Sequence, residues 1–241
     1  MNLNRMFTLG ALAFLAGCVT PDRVKALEDK VASLEEKIEE VAKKGGKAAP
    51  ADDKAEKAAA SLYEAIGKAV RDGKIDAAKS KLTELKKKYS NTTAYRRARK
   101  LERELEVIGK AAPNALEVEK WYTNEVKVDL ASDTPTLLVF WEIWCPHCRR
   151  EVPKLQETWT KYEGKMQMVG LTKITRSATE EKVTEFLAEN KVTYPTAKEN
   201  GDLSKHFNVS GIPAAAVVKG GKIVWRGHPG RLSDEMIDGW L

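Results

Sequence analysis

Along PDRVKALEDKVASLEEKIEEVAKK, residues 21–44, the apolar positions are Val24, Leu27, Val31, Leu34, Ile38 and Val41, spaced 3, 4, 3, 4 and 3 apart. That alternation is the a/d seam of a heptad, so the segment predicts a helix with one narrow apolar stripe. Arg23, Lys30 and Lys37 occupy g, while Glu28, Glu35 and Ala42 occupy e. In a parallel, in-register pair, g of one helix faces the following e of the other, which sets Arg23 against Glu28 and Lys30 against Glu35. A parallel homo-oligomer through residues 23–42 is the expectation. Three heptads are short for a coiled coil, and a single amphipathic helix lying on its own protein is the alternative.

Gly45-Gly46, Pro50 and Asp52-Asp53 break the pattern and mark a linker over 45–53. From Lys54 to Lys110 the helical period returns in three stripes. The first runs through Leu62, Ile66 and Val70 and stops at Asp72-Gly73. The second, through Ile75, Ala78, Leu82, Leu85 and Tyr89, stops at Ser90-Asn91. The third takes Tyr95, Ala98, Leu101, Leu105 and Ile108 and stops before Pro113. Three helices packed as hairpins follow from these stripes, giving an all-α spacer over 54–112. GKIDAAKSKLTELKKKYSNTTAYRRARKLE, residues 73–102, resembles a tetratricopeptide unit, which implies a spacer or docking surface.

The period then shortens. Strand-like runs appear at LEVEKWY, VKVDL, TLLVFW, MQMVGL and AAAVV, with helical segments between them, notably from Thr179 to Asn190. Strands alternating with helices predict an α/β domain over 113–241. AAAVV, the Lys219-Gly220-Gly221-Lys222 turn and IVWRGH read as a hairpin, since paired glycines accept the positive φ such turns need. LSDEMIDGWL reads as a closing helix capped by Ser233.

The N-terminus changes where this chain is expected to work. Arg5, an apolar run from Met6 to Ala16 and small residues before Cys18 form a signal segment over residues 1–17 that is too short to span a membrane. Leu15-Ala16-Gly17-Cys18 resembles the bacterial lipobox, which implies a lipid on the Cys18 sulfur and a mature chain starting there. Residues 18–44 are then lipid anchor and stalk. The expected location is periplasmic and lipid-anchored to the membrane. Val19 after the cysteine leans toward the outer membrane. The formal charge of +6 is local: residues 54–110 hold sixteen Lys and Arg against eight Asp and Glu. A basic helical face outside the cytoplasm argues for solvent, anionic lipid or an acidic partner, and against nucleic acid.

WEIWCPHCRREVP, residues 141–153, carries the chemistry. Cys145 and Cys148 are the two cysteines besides Cys18, and His147, His206 and His228 are the only histidines. Haem attachment would need histidine where Arg149 stands. A closed zinc site would need four ligands, and there is no second CxxC. A copper site on two thiolates and a purely structural bridge remain as alternatives. The context favours redox chemistry, because TLLVFWEIW is an apolar strand and RREVPKLQETWTKY a helix. Cys145 would therefore sit at a helix N-terminus, where unpaired N–H groups and the dipole favour a thiolate, and act as the attacking nucleophile. Cys148, one turn on, would resolve the mixed disulfide. Pro146 suits the first turn, and a protonated His147 would add positive charge.

From about Leu116 onward the chain resembles the TlpA/ResA-like group of thioredoxin-fold thiol-disulfide oxidoreductases. FWEIWCPHCRREVPKL is similar to that group's FWATWCxPCRxExP pattern, and Gly211-Ile212-Pro213 falls at its cis-proline loop. The resemblance implies that Pro213 faces the cysteines and binds substrate backbone, and that Glu151 handles protons near the thiols. It also shows departures. Val139 stands at the buried aspartate of cytoplasmic thioredoxins, and Glu142 at a residue that is usually small. Pro146-His147 matches strongly oxidising periplasmic enzymes, whereas Ile212 before the proline matches reducing thioredoxins.

The expected protein is an α/β thioredoxin fold preceded by an all-α helical spacer and a short N-terminal coiled coil. Its expected activity is disulfide exchange with partner proteins' thiols and disulfides through the Cys145–Cys148 pair, as a reductase, with no other cofactor, no metal and no nucleic acid. An oligomeric disulfide oxidase or isomerase and a copper-binding thiol protein are the alternatives.

Overall fold

The structure is a computed structural model that describes residues 21–44 and 52–241. Residues 1–20, with the signal segment and Cys18, and most of the 45–53 linker lie outside the described residues. The chain divides into two compact units, residues 1–49 and 50–241. In the first, α1 (Pro21–Lys44) is the predicted helix. Its Val24, Leu27, Val31 and Leu34 are exposed by 43 to 60%.

The second unit opens with α2 (Asp53–Arg71), α3 (Ile75–Tyr89) and α4 (Thr93–Val107). Asp52 caps α2, its Oδ1 accepting from the Ala55 N–H at 2.7 Å, and Thr92 caps α4 in the same way at 3.2 Å. The three stripes meet in one core of Ile66, Leu82, Leu85, Leu101 and Leu105. Ala59, Ala78 and Ala98 are wholly buried there as well, small residues that let the helix axes approach. Leu62 and Val70 only pack against its margin.

Six strands follow: β1 (Lys120–Trp121), β2 (Thr136–Trp141), β3 (Gln167–Thr172), β4 (Thr196–Lys198), β5 (Ala214–Lys219) and β6 (Lys222–Gly227). They form one sheet in the order β1-β4-β3-β2-β5-β6. β2, β3 and β4 run parallel, and β5 and β6 add antiparallel on the other side of β2. Between them lie α5 (Pro146–Tyr162), α6 (Glu180–Glu189) and α7 (Asp202–His206), and α8 (Asp234–Asp238) closes the chain. A central parallel βαβ unit extended by an antiparallel hairpin, with helices on both faces, is the thioredoxin fold.

The continuous apolar run of β2 has the meaning expected of a strand covered on both faces. Leu137, Val139 and Trp141 enter one core with Val152 and Leu155 of α5, Val183 and Phe186 of α6, and Ile237 of α8. Leu138 and Phe140 enter the other with Leu203, Phe207 and Leu130. The hairpin turn falls where the glycines stand, with φ of 55° at Gly220 and 70° at Gly221. Ser233 accepts from the Met236 N–H at 3.4 Å, as the closing helix required.

Two sequence expectations shift. LEVEKWY and VKVDL read as full strands, but only Lys120–Trp121 pairs, antiparallel to β4. Val126, Val128 and Leu130 instead lay their side chains on the second core, while the Leu130 and Ser132 carbonyls accept from Gly221 and Gly220 at 3.0 and 2.8 Å. Alternating apolar residues were satisfied by burial on one face without a strand partner. The boundary placed between residues 112 and 113 also falls inside continuous structure. The Gly109 N–H donates to Ile223 O at 2.8 Å, that of Ile223 to Lys110 O at 3.0 Å, and that of Ala112 to Gly221 O at 2.8 Å. Val107 and Ala112 join the second core, and Arg231 meets Glu104 of α4 at 2.6 Å. The three helices thus belong to the same compact unit as the sheet.

Candidate active site

β2 ends at Trp141, residues 142–144 turn, and α5 begins at Pro146, so Cys145 is the residue that caps the helix. Its Sγ accepts from the Cys148 N–H at 3.4 Å, which places the sulfur among the first unpaired N–H groups of α5. Pro146 occupies the first helical turn, where no intrahelical bond is lost. Both cysteines are free thiols. Cys145 is 4% exposed, and Cys148 is fully buried. Cys145 thus keeps a small exposure, and Cys148 keeps none.

Burial pushes the Cys148 thiol well above its ordinary value, and its hydrogen bond with Cys145 adds to the effect. Burial likewise raises Tyr194, whose hydroxyl donates to Val152 O of α5 at 3.1 Å. Both groups stay protonated in the fold when the unfolded chain has already begun to release its protons. Their contribution to stability is complete below their ordinary values of 9.0 and 10.0 and is lost as pH rises above them. The reduced protein is therefore expected to lose urea resistance between about pH 9 and 10.5. Cys148→Ser should retain more of its pH 8 midpoint over the same interval; equal losses would show that the thiol takes no part.

Opposite the cysteines, Ile212–Pro213 is a cis peptide at the head of β5. The Ile212 carbonyl lies 3.7 Å from Cys145 Sγ, within reach of a weak S–H donor. Cys145, Cys148 and the Pro213 loop thus converge. His147 is exposed, and its Nδ1 lies 2.6 Å from Arg150 Nη2. A guanidinium has only donors, so in this contact the ring nitrogen accepts. Glu151 is only partly exposed; its Oε1 meets Lys154 Nζ at 3.2 Å, and its Oε2 lies against Gly230. It faces the turn after β6, beside His228. Val139 is wholly buried within the sheet. Among the described residues, no three or more His, Cys, Asp or Glu side chains gather as a metal site.

Glu142, which the sequence marks as a departure at a usually small position, has partners that the linear sequence does not disclose. It is 6% exposed, and its Oε2 accepts from Trp144 Nε1 at 2.7 Å and from the Thr175 hydroxyl. Arg176, at a φ of 56°, stacks its guanidinium 3.5 Å over the Trp144 ring. Thr175 and Arg176 lie 27 to 31 residues beyond the cysteines, and no local spacing points to them.

Residues 108–226 match the AhpC/TSA family model. This region is a redoxin domain of the AhpC/TSA family. Over 107 residues the chain is 24% identical to sporulation thiol-disulfide oxidoreductase A of Bacillus subtilis, covering 44% of this chain and 65% of that protein. Over 136 residues it is 27% identical to the thiol-disulfide oxidoreductase ResA of Bacillus cereus, covering 56% of this chain and 76% of the relative. The first three such relatives are matched over 65, 64 and 54% of their own length, each less than two thirds. The solved structure of StoA from Bacillus subtilis aligns with a TM-score of 0.43 at 23% identity, over 53% of this chain and 98% of that one. The AhpC/TSA domain holds the Cys145–Cys148 pair and Pro213, and its first residues are the α4 connection that hydrogen-bonds to β6.

Proposed function

We propose that the protein is a membrane-anchored, extracytoplasmic thiol-disulfide oxidoreductase that reduces partner disulfides through Cys145 and Cys148. The observation that carries this reading is the asymmetry of the pair: Cys145 Sγ at the helix N-terminus, Cys148 buried behind it with its proton retained. In the forward step the Cys145 thiolate attacks one sulfur of a partner disulfide, and the other partner sulfur leaves. Cys148 then attacks Cys145 Sγ; the Cys145–Cys148 disulfide forms, the second partner sulfur is released, and the Cys148 proton ends on it. Partner disulfide becomes dithiol, and the enzyme dithiol becomes disulfide. A second dithiol must reset the enzyme. The cis-proline loop beside Cys145 supplies backbone groups to align the partner chain.

The anchor assigned to this reading is a lipid on Cys18, with α1 as the stalk. The exposed Val24, Leu27, Val31 and Leu34 and the alternating charges of the sequence support parallel pairing of stalks from several chains. Oligomeric heads would favour a second reading, a disulfide isomerase, because several redox centres on one stalk raise the effective concentration at a misfolded substrate.

A soluble chain starting at Asp22 is expected to be oligomeric by light scattering, and one starting at Ala51 monomeric. Charged replacements at Val31 and Leu34 should imitate the deletion. Both lengths should reduce insulin equally, and Cys145→Ser should not reduce it at all. A large loss of scrambled-protein refolding in the shorter chain, with insulin reduction kept, would replace the reductase by the isomerase. A monomeric longer chain would remove the stalk assignment.

A further inference from the structure

A buried carboxylate has to be explained by what it holds, because an apolar side chain of similar size would fill the same space without the cost of desolvation. Glu142 stands between the end of β2 and the redox helix, and it has no ion-pair partner among the described residues. Its main-chain carbonyl accepts from the Cys145 N–H at 3.0 Å. One side-chain oxygen, Oε2, gathers both the Trp144 indole N–H and the Thr175 hydroxyl, and the indole nitrogen also lies 3.1 Å from that hydroxyl. Two segments far apart in sequence, the residue before the nucleophile and the loop after β3, are thereby joined through a single atom.

The consequence falls on Trp144. An indole has one donor and otherwise rotates about two torsions, so the bond at Nε1 sets which face it turns outward. With Nε1 tied inward, the ring offers a face that Arg176 covers at 3.5 Å. Arg176 reaches that face from a left-handed backbone position adjoining Thr175, the second residue tied by Glu142. Trp144 is half-buried and directly precedes Cys145, so a polypeptide whose sulfur reaches Cys145 passes beside it.

We propose that Glu142 is a positioning residue: it locks the Trp144 indole and the 175–176 loop into one wall that a partner polypeptide meets on reaching Cys145. The inference rests on the thiol-disulfide reading of the pair. It assigns Glu142 to partner binding and leaves proton transfer to other groups. Glutamine retains an oxygen able to accept both bonds without the charge, whereas alanine removes the acceptor; the two substitutions therefore separate geometry from proton transfer.

Two readouts test it on the full chain. Acrylamide quenching of the Trp144 emission, isolated by subtracting the Trp144→Phe protein, reports the ring without any turnover. Glu142→Ala should raise that quenching constant about twofold, and Glu142→Gln should leave it near the native value. Kinetically, Glu142→Ala should raise KM for a protein disulfide about tenfold with kcat little changed, while reaction with the small disulfide 5,5′-dithiobis(2-nitrobenzoate) and the reduction potential stay at native values. Unmoved quenching in Glu142→Ala overturns the proposal. So does a Glu142→Gln protein that loses kcat as Glu142→Ala does, since that outcome makes the carboxylate a proton acceptor. If alanine prevents folding, Glu142→Asp, which withdraws the acceptor by one methylene, takes its place in both measurements. Absence of turnover by the native chain, with quenching responding as expected, would sink the oxidoreductase reading and leave the geometry of Glu142 intact.

Discussion

Cys148→Ser is expected to accumulate disulfide-linked complexes with partner proteins, and Cys145→Ser to accumulate none. In the native protein, Cys148 lies one helical turn from the sulfur it must attack, held by the same N-terminal turn of α5. An intramolecular thiol so placed outcompetes dissolved thiols, so its removal should slow release of the partner by about 100-fold or more. Cys145 remains able to attack, because its position at the helix N-terminus does not depend on the Cys148 sulfur. Non-reducing electrophoresis of both variants after exposure to extracytoplasmic proteins of the host reads the result directly. Trapping by Cys145→Ser in place of Cys148→Ser would reverse the two roles. Trapping by neither would remove disulfide exchange as the activity.

Phe207→Ala is expected to lower stability by about 3–5 kcal/mol, a large part of what a domain of this kind has. Phe207 is fully buried, with its ring 5.6 Å from that of Phe140 on β2. It closes α7 in the core that also receives Val107 and Ala112 from the helical layer. Ile212, whose carbonyl faces Cys145, packs on both cores of the sheet. A cavity at Phe207 should therefore loosen the attachment of α4 and the active-site loop together. The hydrogen bond from the Arg226 side chain, Nε to the Phe207 main-chain carbonyl at 2.9 Å, does not use the ring and survives the substitution, so the loss isolates packing. Urea denaturation monitored by circular dichroism checks the magnitude. A cost below about 1 kcal/mol would mean that the space closes around the smaller side chain.

The local elements were legible because each announces itself within a few residues. The heptad of 24–41 and the three helical stripes follow from side-chain period alone, and the caps of α2, α4 and α8, Asp52, Thr92 and Ser233, are the residue types a helix start selects. Cys145 and Cys148 were legible for the same reason. A strand, a turn and a helix N-terminus are all encoded around them, and that junction is what gives the two sulfurs different surroundings.

Tertiary structure decided everything that depended on distant segments. VKVDL alternates like a strand, but only the packed molecule shows that its apolar side chains lie on the core while the carbonyls of Leu130 and of Ser132 just beyond it serve the Gly220-Gly221 turn. The helical region reads as a separate spacer, yet hydrogen bonds from residues 109–112 to β6 and the Glu104–Arg231 ion pair make it one body with the sheet. The neighbours of Glu151, Lys154 and the turn at Gly230, include one that lies far from it in sequence. Glu142 could be named from the motif as an unusual residue, but whether it was buried depended on Thr175, brought to it by the parallel pairing of β2 with β3. Period and capping are properties of neighbouring residues and survive in the bare sequence. Burial and the partners of a polar group are set by whichever segments the fold brings together, and no local pattern records them.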